Sequence, residues 1–110
     1  MEEFVKGDVI VFSYPFSDFS SQKRRPALVI ASPTGNDLIV CQITSQNHFD
    51  NYSIRLENND FLNGSLQLTS FIRPNKIISV DKSIITYKAG NISSEKLKDV
   101  IDSVIEIIKT

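Results

Sequence analysis

Two short stretches carry residue types that can do chemistry on an anion. The first, residues 23–30, reads KRRPALVI: three cations run into Pro26 and then into an apolar strand. Arg25 precedes the proline, whose ring biases the residue before it toward extended backbone. The guanidinium is then aimed from a strand entrance, where it presents a planar fork suited to two phosphate oxygens and stays charged at any relevant pH. The residue types leave a second reading open, an exposed loop tip whose cations serve solubility. Lys23 and Arg24 read as long-range attractors. The second stretch, CQITSQ (residues 41–46), ends the next apolar run and offers the Thr44 hydroxyl. A hydroxyl beside a guanidinium is a minimal oxyanion-binding pair, although by type alone Thr44 is first a β-branched strand residue.

Other chemistries are quickly set aside. One Cys and one His without a clustered carboxylate motif cannot assemble a standard zinc site. The chain has no phosphate-binding Walker loop and no dinucleotide fingerprint. Cys41 and His48 form a nucleophile–base pair only on paper, since Cys41 sits in an apolar run and His48 in a polar loop. His48, between Asn47 and Asp50, reads as a surface histidine.

The elements that must hold Arg25 and Thr44 follow from local pattern. GDVIVFSYPF (Gly7 to Phe16) is rich in β-branched and aromatic residues and reads as a first strand. SDFSSQKRR is a polar loop. PALVIAS is a strand apolar enough to be buried on both faces, and PTGND is a hairpin signal with Gly35-Asn36 at its turn. LIVCQITS is the antiparallel partner. Arg25 lies eleven residues before Asn36 and Thr44 eight after it, so a bulge or offset is needed to bring them to the same sheet end. QNHFDN is loop, YSIRLE a half-exposed strand, and NNDFLNG a polar turn region. SLQLTSFIR alternates, with Leu66, Leu68 and Ser70 on one face; KIISVDKSIITYKAG is ambiguous between short strands and a helical turn. The clearest element is the last. Ser93 is a good helix N-cap, Ile92 can staple onto Leu97, and Leu97, Val100, Ile101, Val104, Ile105 and Ile108 recur as one apolar stripe. The order implies a mainly β fold, a small bent sheet or barrel closed by a terminal α-helix.

Bulk properties agree. A chain of 110 residues, 41% hydrophobic and 23% charged, is the size and composition of one globular domain, spanning residues 1–110. No apolar run approaches the length of a membrane span, and the acidic N-terminus has no signal-peptide pattern. The single cysteine reads as a reduced core residue of a cytoplasmic protein. A net charge of −1 argues against strong non-specific nucleic-acid binding. Yet between Phe19 and Phe49 the cations Lys23, Arg24 and Arg25 face only Asp37, so a local positive site is possible on a near-neutral body.

Taken in order, GDVIVFSYPF, SSQKRRPALVI, CQITSQ, SFIRPNKIISVDKSII and GNISSEKLKDVI resemble the MazF/PemK family of toxins over nearly the whole chain. The resemblance implies an SH3-like barrel with a terminal helix and a homodimer. It implies a metal-independent endoribonuclease without cofactor that cuts single-stranded RNA, and a cognate antitoxin that blocks the RNA groove. The family's catalytic arginine falls on Arg25 and its catalytic hydroxyl on Thr44. Phe16, Ser21, Gln22, Lys23, Arg24, Gln46, Ser70, Phe71 and Arg73 fall where members touch RNA or shape the groove. Phe16, Phe19 and Phe71 can stack unpaired bases, with core packing the plainer role for Phe16. The chain departs from many relatives in a first loop without extra glycines, in Arg24, and in Ser70 and Phe71 at base-reading positions. Two other functions share the fold. A gyrase poison acts through a tryptophan-containing tail, whereas this chain has no tryptophan and ends EIIKT. A non-catalytic binding barrel has no need of both Arg25 and Thr44.

Overall fold

A computed structural model describes residues 3–13, 24–47 and 50–110. Seven antiparallel strands form one sheet: β1 (Asp8–Ser13), β2 (Arg24–Ala31), β3 (Asp37–Thr44), β4 (Ile54–Leu56), β5 (Phe61–Gly64), β6 (Ser70–Asp81) and β7 (Ile85–Ile92), followed by the helix α1 (Ser94–Ile108). The strand order is β4-β6-β3-β2-β1-β7-β5. This order forces the sheet to curl. β5 and β6 lie five strand spacings apart, about 24 Å across a flat sheet. The six Cα–Cα steps from Gly64 to Ser70 reach at most about 22 Å. The short link therefore joins them only if the sheet folds round toward itself, as a half-barrel.

The apolar run of β2 divides between two cores. Leu28 packs with Val9, Cys41, Ile43, Ile72 and Val100 beneath the helix, while Ala27 and Val29 pack with Ile10, Phe12, Leu38 and Val40 on the other face. The expectation that this strand is buried on both faces is met. The Gly-Asp pair before β1 has a structural cause. Gly7, at φ +94°, donates its N–H to the Val29 carbonyl and accepts from Ile92, linking three strands at one corner. The buried Asp8 carboxylate accepts from the Val5 N–H at 2.8 Å and faces Lys88 at 3.2 Å, fastening the N-terminal segment.

The helix begins as its sequence indicates: the Ser93 hydroxyl accepts from the Lys96 N–H at 3.2 Å, and Ile92 and Leu97 join one core. The apolar stripe is narrower than expected. Val100 and Val104 are buried, but Ile105 is 45% and Ile108 72% exposed.

Three segments differ from expectation. Residues 65–69 are not strand: they form the link described above, and Leu68, expected to share a face with Leu66, is 66% exposed while Leu66 packs against the core. The ambiguous stretch from Lys76 is strand, a 3₁₀ turn over Lys82–Ile84 held by Asp81, then strand again. NNDFLNG contains the edge strand β5, which its asparagines obscured. The first strand is seen as far as Ser13; Pro15 and Phe16 lie outside the described residues.

β5 pairs with β7 through Gly64 opposite Gly90. A Cβ on Gly90 would run into the Asn63 carbonyl and the Gly64 Cα, both backbone and both unable to yield. Gly90→Ala is therefore expected to destabilise the fold by about 1–3 kcal/mol by overpacking. A thermal melt within error of the parent would show that the edge strand gives way freely.

Candidate active site

Arg25 and Thr44 are brought together by strand register. Ala27 pairs with Gln42, Leu28 with Cys41 and Val29 with Val40; two residues further along, the same register sets Arg25 opposite Thr44. The offset noted in the sequence is absorbed in two parts: Ala31 pairs with Ile39, which centres the hairpin on Gly35 instead of Asn36, and a bulge at Ile30 adds one residue. Alternation then puts Arg25 on the face of Ala27 and Val29, and Thr44 on the face of Val40 and Gln42. These are the same face, because Ala27, Val29 and Val40 share one core. On the neighbouring strands Phe12 pairs with Arg25, Phe71 with Thr44, and Arg73 with Gln42.

The two side chains are prepared differently. The Thr44 hydroxyl accepts the Gln46 backbone N–H at 3.1 Å, which occupies a lone pair and leaves its own hydrogen free to donate outward. Arg25 is exposed, and among the described residues no carboxylate pairs with it or with Arg24. Two depressions meet at this point. An open groove of about 950 Å³ runs past Arg24, Gln67, Ser70, Tyr87 and Lys88, and a smaller hollow of about 310 Å³ is lined by Phe12, Gln42, Arg73 and Lys76. Arg25, Thr44 and Gln46 line both, so the pair forms the ridge between them. A donor fork and a donor hydroxyl on one ridge can bind a tetrahedral anion and stabilise charge that grows on it.

The profile of PemK-like, MazF-like toxins of type II toxin–antitoxin systems matches residues 6–108. The chain belongs to this family. No curated protein matches it by sequence. Among solved structures, it is similar to an endoribonuclease bound to its cognate antitoxin from a mycobacterial species, at 11% identity and TM-score 0.78 over 97% of this chain and 96% of that one. It is similar to a MazE–MazF complex from Deinococcus radiodurans at 17% identity and TM-score 0.76, covering 96% of each chain. It also resembles the Mycobacterium tuberculosis toxin MazF-mt6 at 11% identity and TM-score 0.71, over 93% of this chain and 96% of that one. At such identities these likenesses are of fold: the curled antiparallel sheet with one C-terminal helix is that of MazF.

In this MazF/PemK member the remaining candidate residues have distinct settings. Gln46 is exposed on the ridge. Ser70 lines the large groove but is 5% exposed, and its hydroxyl donates to the Leu68 carbonyl at 2.9 Å, shaping the link. Phe71 is half-buried opposite Thr44. Arg73 lines the hollow, and its Nη2 donates to Asp50 Oδ2 at 2.8 Å. Phe16, Phe19, Ser21, Gln22, Lys23 and His48 lie outside the described residues. Gln42 and Lys76 were not singled out in the sequence. Gln42 was within reach, two residues before Thr44 on the same face; Lys76 lies in a bulge that only the pairing of β3 with β6 reveals. Cys41 is buried, which pushes its thiol up to about 12 and disfavours the thiolate that thiol chemistry needs. Among the described residues no three His, Cys, Asp or Glu side chains gather in a metal-binding group.

Asp50 fastens the loop after β3 to Arg73. The backbone N–H groups of Ser53 and Tyr52, followed by the Arg73 guanidinium, hold its carboxyl well below the usual carboxylate range. A depressed folded value stabilises the fold above the unfolded value of about 3.9 and loses that contribution as pH falls toward the folded value. Asp50→Asn is thus expected to melt below the parent at pH 7, with the two curves converging in acid below about pH 4. Melts between pH 7 and pH 2 check this; a gap of constant size would mean that the charge of Asp50 is irrelevant.

Proposed function

We propose that this toxin is an endoribonuclease that cuts single-stranded RNA without a metal. The observation that carries the reading is the ridge. Arg25, which no carboxylate pairs among the described residues, and Thr44, whose hydroxyl accepts from Gln46, both line the two depressions, and this supports one shared anion site. The substrate supplies its own nucleophile. The 2′-oxygen attacks the adjacent phosphorus as its proton passes to a base, the P–O5′ bond breaks, and the 5′-oxygen takes up a proton. The products are a 2′,3′-cyclic phosphate and a 5′-hydroxyl. Arg25 stabilises the charge building on the phosphorane oxygens; a guanidinium has donors only and no acceptor, so it does not serve as base. Thr44 donates to the same phosphate and holds it in line. DNA lacks the nucleophile and is not cut.

The endoribonuclease–antitoxin and MazE–MazF complexes among the fold relatives support a cognate antitoxin as partner. The exposed Ile105 and Ile108 of α1, together with Leu62, offer apolar surface to a second copy or to that antitoxin. No described helix is long and apolar enough to cross a membrane. An mRNA substrate places the work of the whole chain, as one toxin domain, in the cytoplasm. The test incubates the purified protein with a long RNA and EDTA and maps the ends. Cyclic phosphate and 5′-hydroxyl ends are expected, and a 2′-deoxy substitution at the cut should block it. No cleavage, a metal requirement or 5′-phosphate ends would each remove the proposal.

A further inference from the structure

The small hollow behind the ridge has a chemistry of its own. Arg25, Arg73 and Lys76 line it, and the carboxylate that pairs with this set among the described residues is Asp50, held by Arg73. The balance is positive. Arg73 is held by the Nη2 bond to Asp50 at 2.8 Å, while its buried Nε has no hydrogen-bond partner among the described residues, so it acts as a charged wall. Lys76 is exposed, and no ion pair or hydrogen bond engages its ammonium among the described residues. Its place follows from the backbone. β6 pairs Arg73 with Gln42 and Ile77 with Cys41, so residues 74–76 are an insertion in which Pro74 is buried while Lys76 is exposed and lines the hollow. Pro74, which has no N–H to donate, fits such a break in the ladder.

We infer that this hollow is a second phosphate subsite, which holds the RNA backbone phosphate next to the one that is cut, with Lys76 as its mobile ligand. The inference rests on the ribonuclease reading for the identity of the polyanion. A base is the poorer occupant: the aromatic ring in the lining, Phe12, is 1% exposed and presents no face for stacking. About 310 Å³ suits a phosphate and its sugar, whereas a length of strand fits the larger groove. Anchoring two successive phosphates, one at Arg25 and Thr44 and one at Lys76, fixes the backbone direction across the ridge and so helps set in-line attack.

The test measures binding of a single-stranded DNA oligonucleotide, which cannot be cut, by fluorescence anisotropy across a salt series. Lys76→Met is expected to weaken binding by about two- to fivefold at low salt, as suits one exposed cation. It should also lower the slope of log K against log salt by about 0.7, one single-strand phosphate contact. Lys76→Arg should keep the parental slope. Lys98→Met, on the far helix and paired with Asp102, is the control and should change neither quantity. A second arm uses RNA with a neutral methylphosphonate next to the cut, on which the parent and Lys76→Met should bind alike. A parental slope in Lys76→Met, or an equal deficit on the neutral RNA, overturns the subsite. Absence of RNA cleavage by the parent overturns the ribonuclease reading instead, so the two failures are distinct.

Discussion

Arg25→Ala is expected to abolish RNA cleavage while leaving the fold intact. The guanidinium is exposed and carries no ion pair among the described residues, so its removal breaks no packing and should move stability by no more than about 0.5 kcal/mol. The chemical loss is much larger. A preorganised donor aimed at developing charge is typically worth about 10²–10³ in kcat, and Arg25 offers two donors and a full charge, so a loss of at least about 10³ is expected. Arg25→Lys should recover little, because an ammonium is a point charge without the fork that meets two phosphate oxygens. The measurement is kcat and KM on a long RNA, with a thermal melt of each variant. Parental turnover in Arg25→Ala would withdraw the assignment. Lost turnover together with a collapsed melting curve would show that Arg25 supports the sheet instead of the reaction.

Thr44→Val is the second large effect. Valine keeps the β-branched shape that suits β3 and removes only the hydroxyl. The Gln46 N–H then loses its acceptor, but that residue is exposed and water replaces the contact, so the melt should shift little. Cleavage should fall by about 10²–10³. Thr44→Ser, which restores the hydroxyl, should return most of it. KM should change less than kcat, since the hydroxyl acts most strongly as charge builds on the phosphate. Parental kcat in the valine variant would show that the hydroxyl only holds the turn. The double variant with Arg25→Ala should cost less than the product of the two single losses, because both groups serve one anion.

Much of this site could be read from residue order. Pro26 biased Arg25 toward extended backbone, although β2 begins at Arg24, two residues before the expected start and inside the stretch read as loop, and Gly35-Asn36 marked the turn that folds β3 back along it. Counting outward from Asn36 left three residues to absorb on the Arg25 side; the pairing is centred on Gly35, which accounts for two, and the bulge at Ile30 supplies the third. Ser93 and the spacing of Leu97, Val100 and Val104 defined the helix. These signals are local: a proline ring, a turn glycine and a cap act within a few residues of themselves, so they survive without knowledge of the partner strand.

What the linear order could not decide was every feature that depends on a neighbour distant in sequence. NNDFLNG has poor strand propensity, yet its second half, Phe61–Gly64, is a strand because it pairs with β7, Gly64 opposite Gly90. Residues 65–69 alternate like a strand and are a crossing link, because β5 and β6 lie on opposite sides of the curled sheet. Leu68 and Ile108 are apolar yet exposed, since burial depends on whether another element arrives to cover them. Lys76 enters the hollow through a bulge defined only against β3. The sequence by itself thus determined the hairpin, the helix and the approach of a guanidinium to a hydroxyl. Tertiary structure decided the curl of the sheet, the two hollows flanking the ridge, and which cations face them. The reason is physical: strand pairing and burial are properties of pairs of segments, and their free energy appears only when both members are in place.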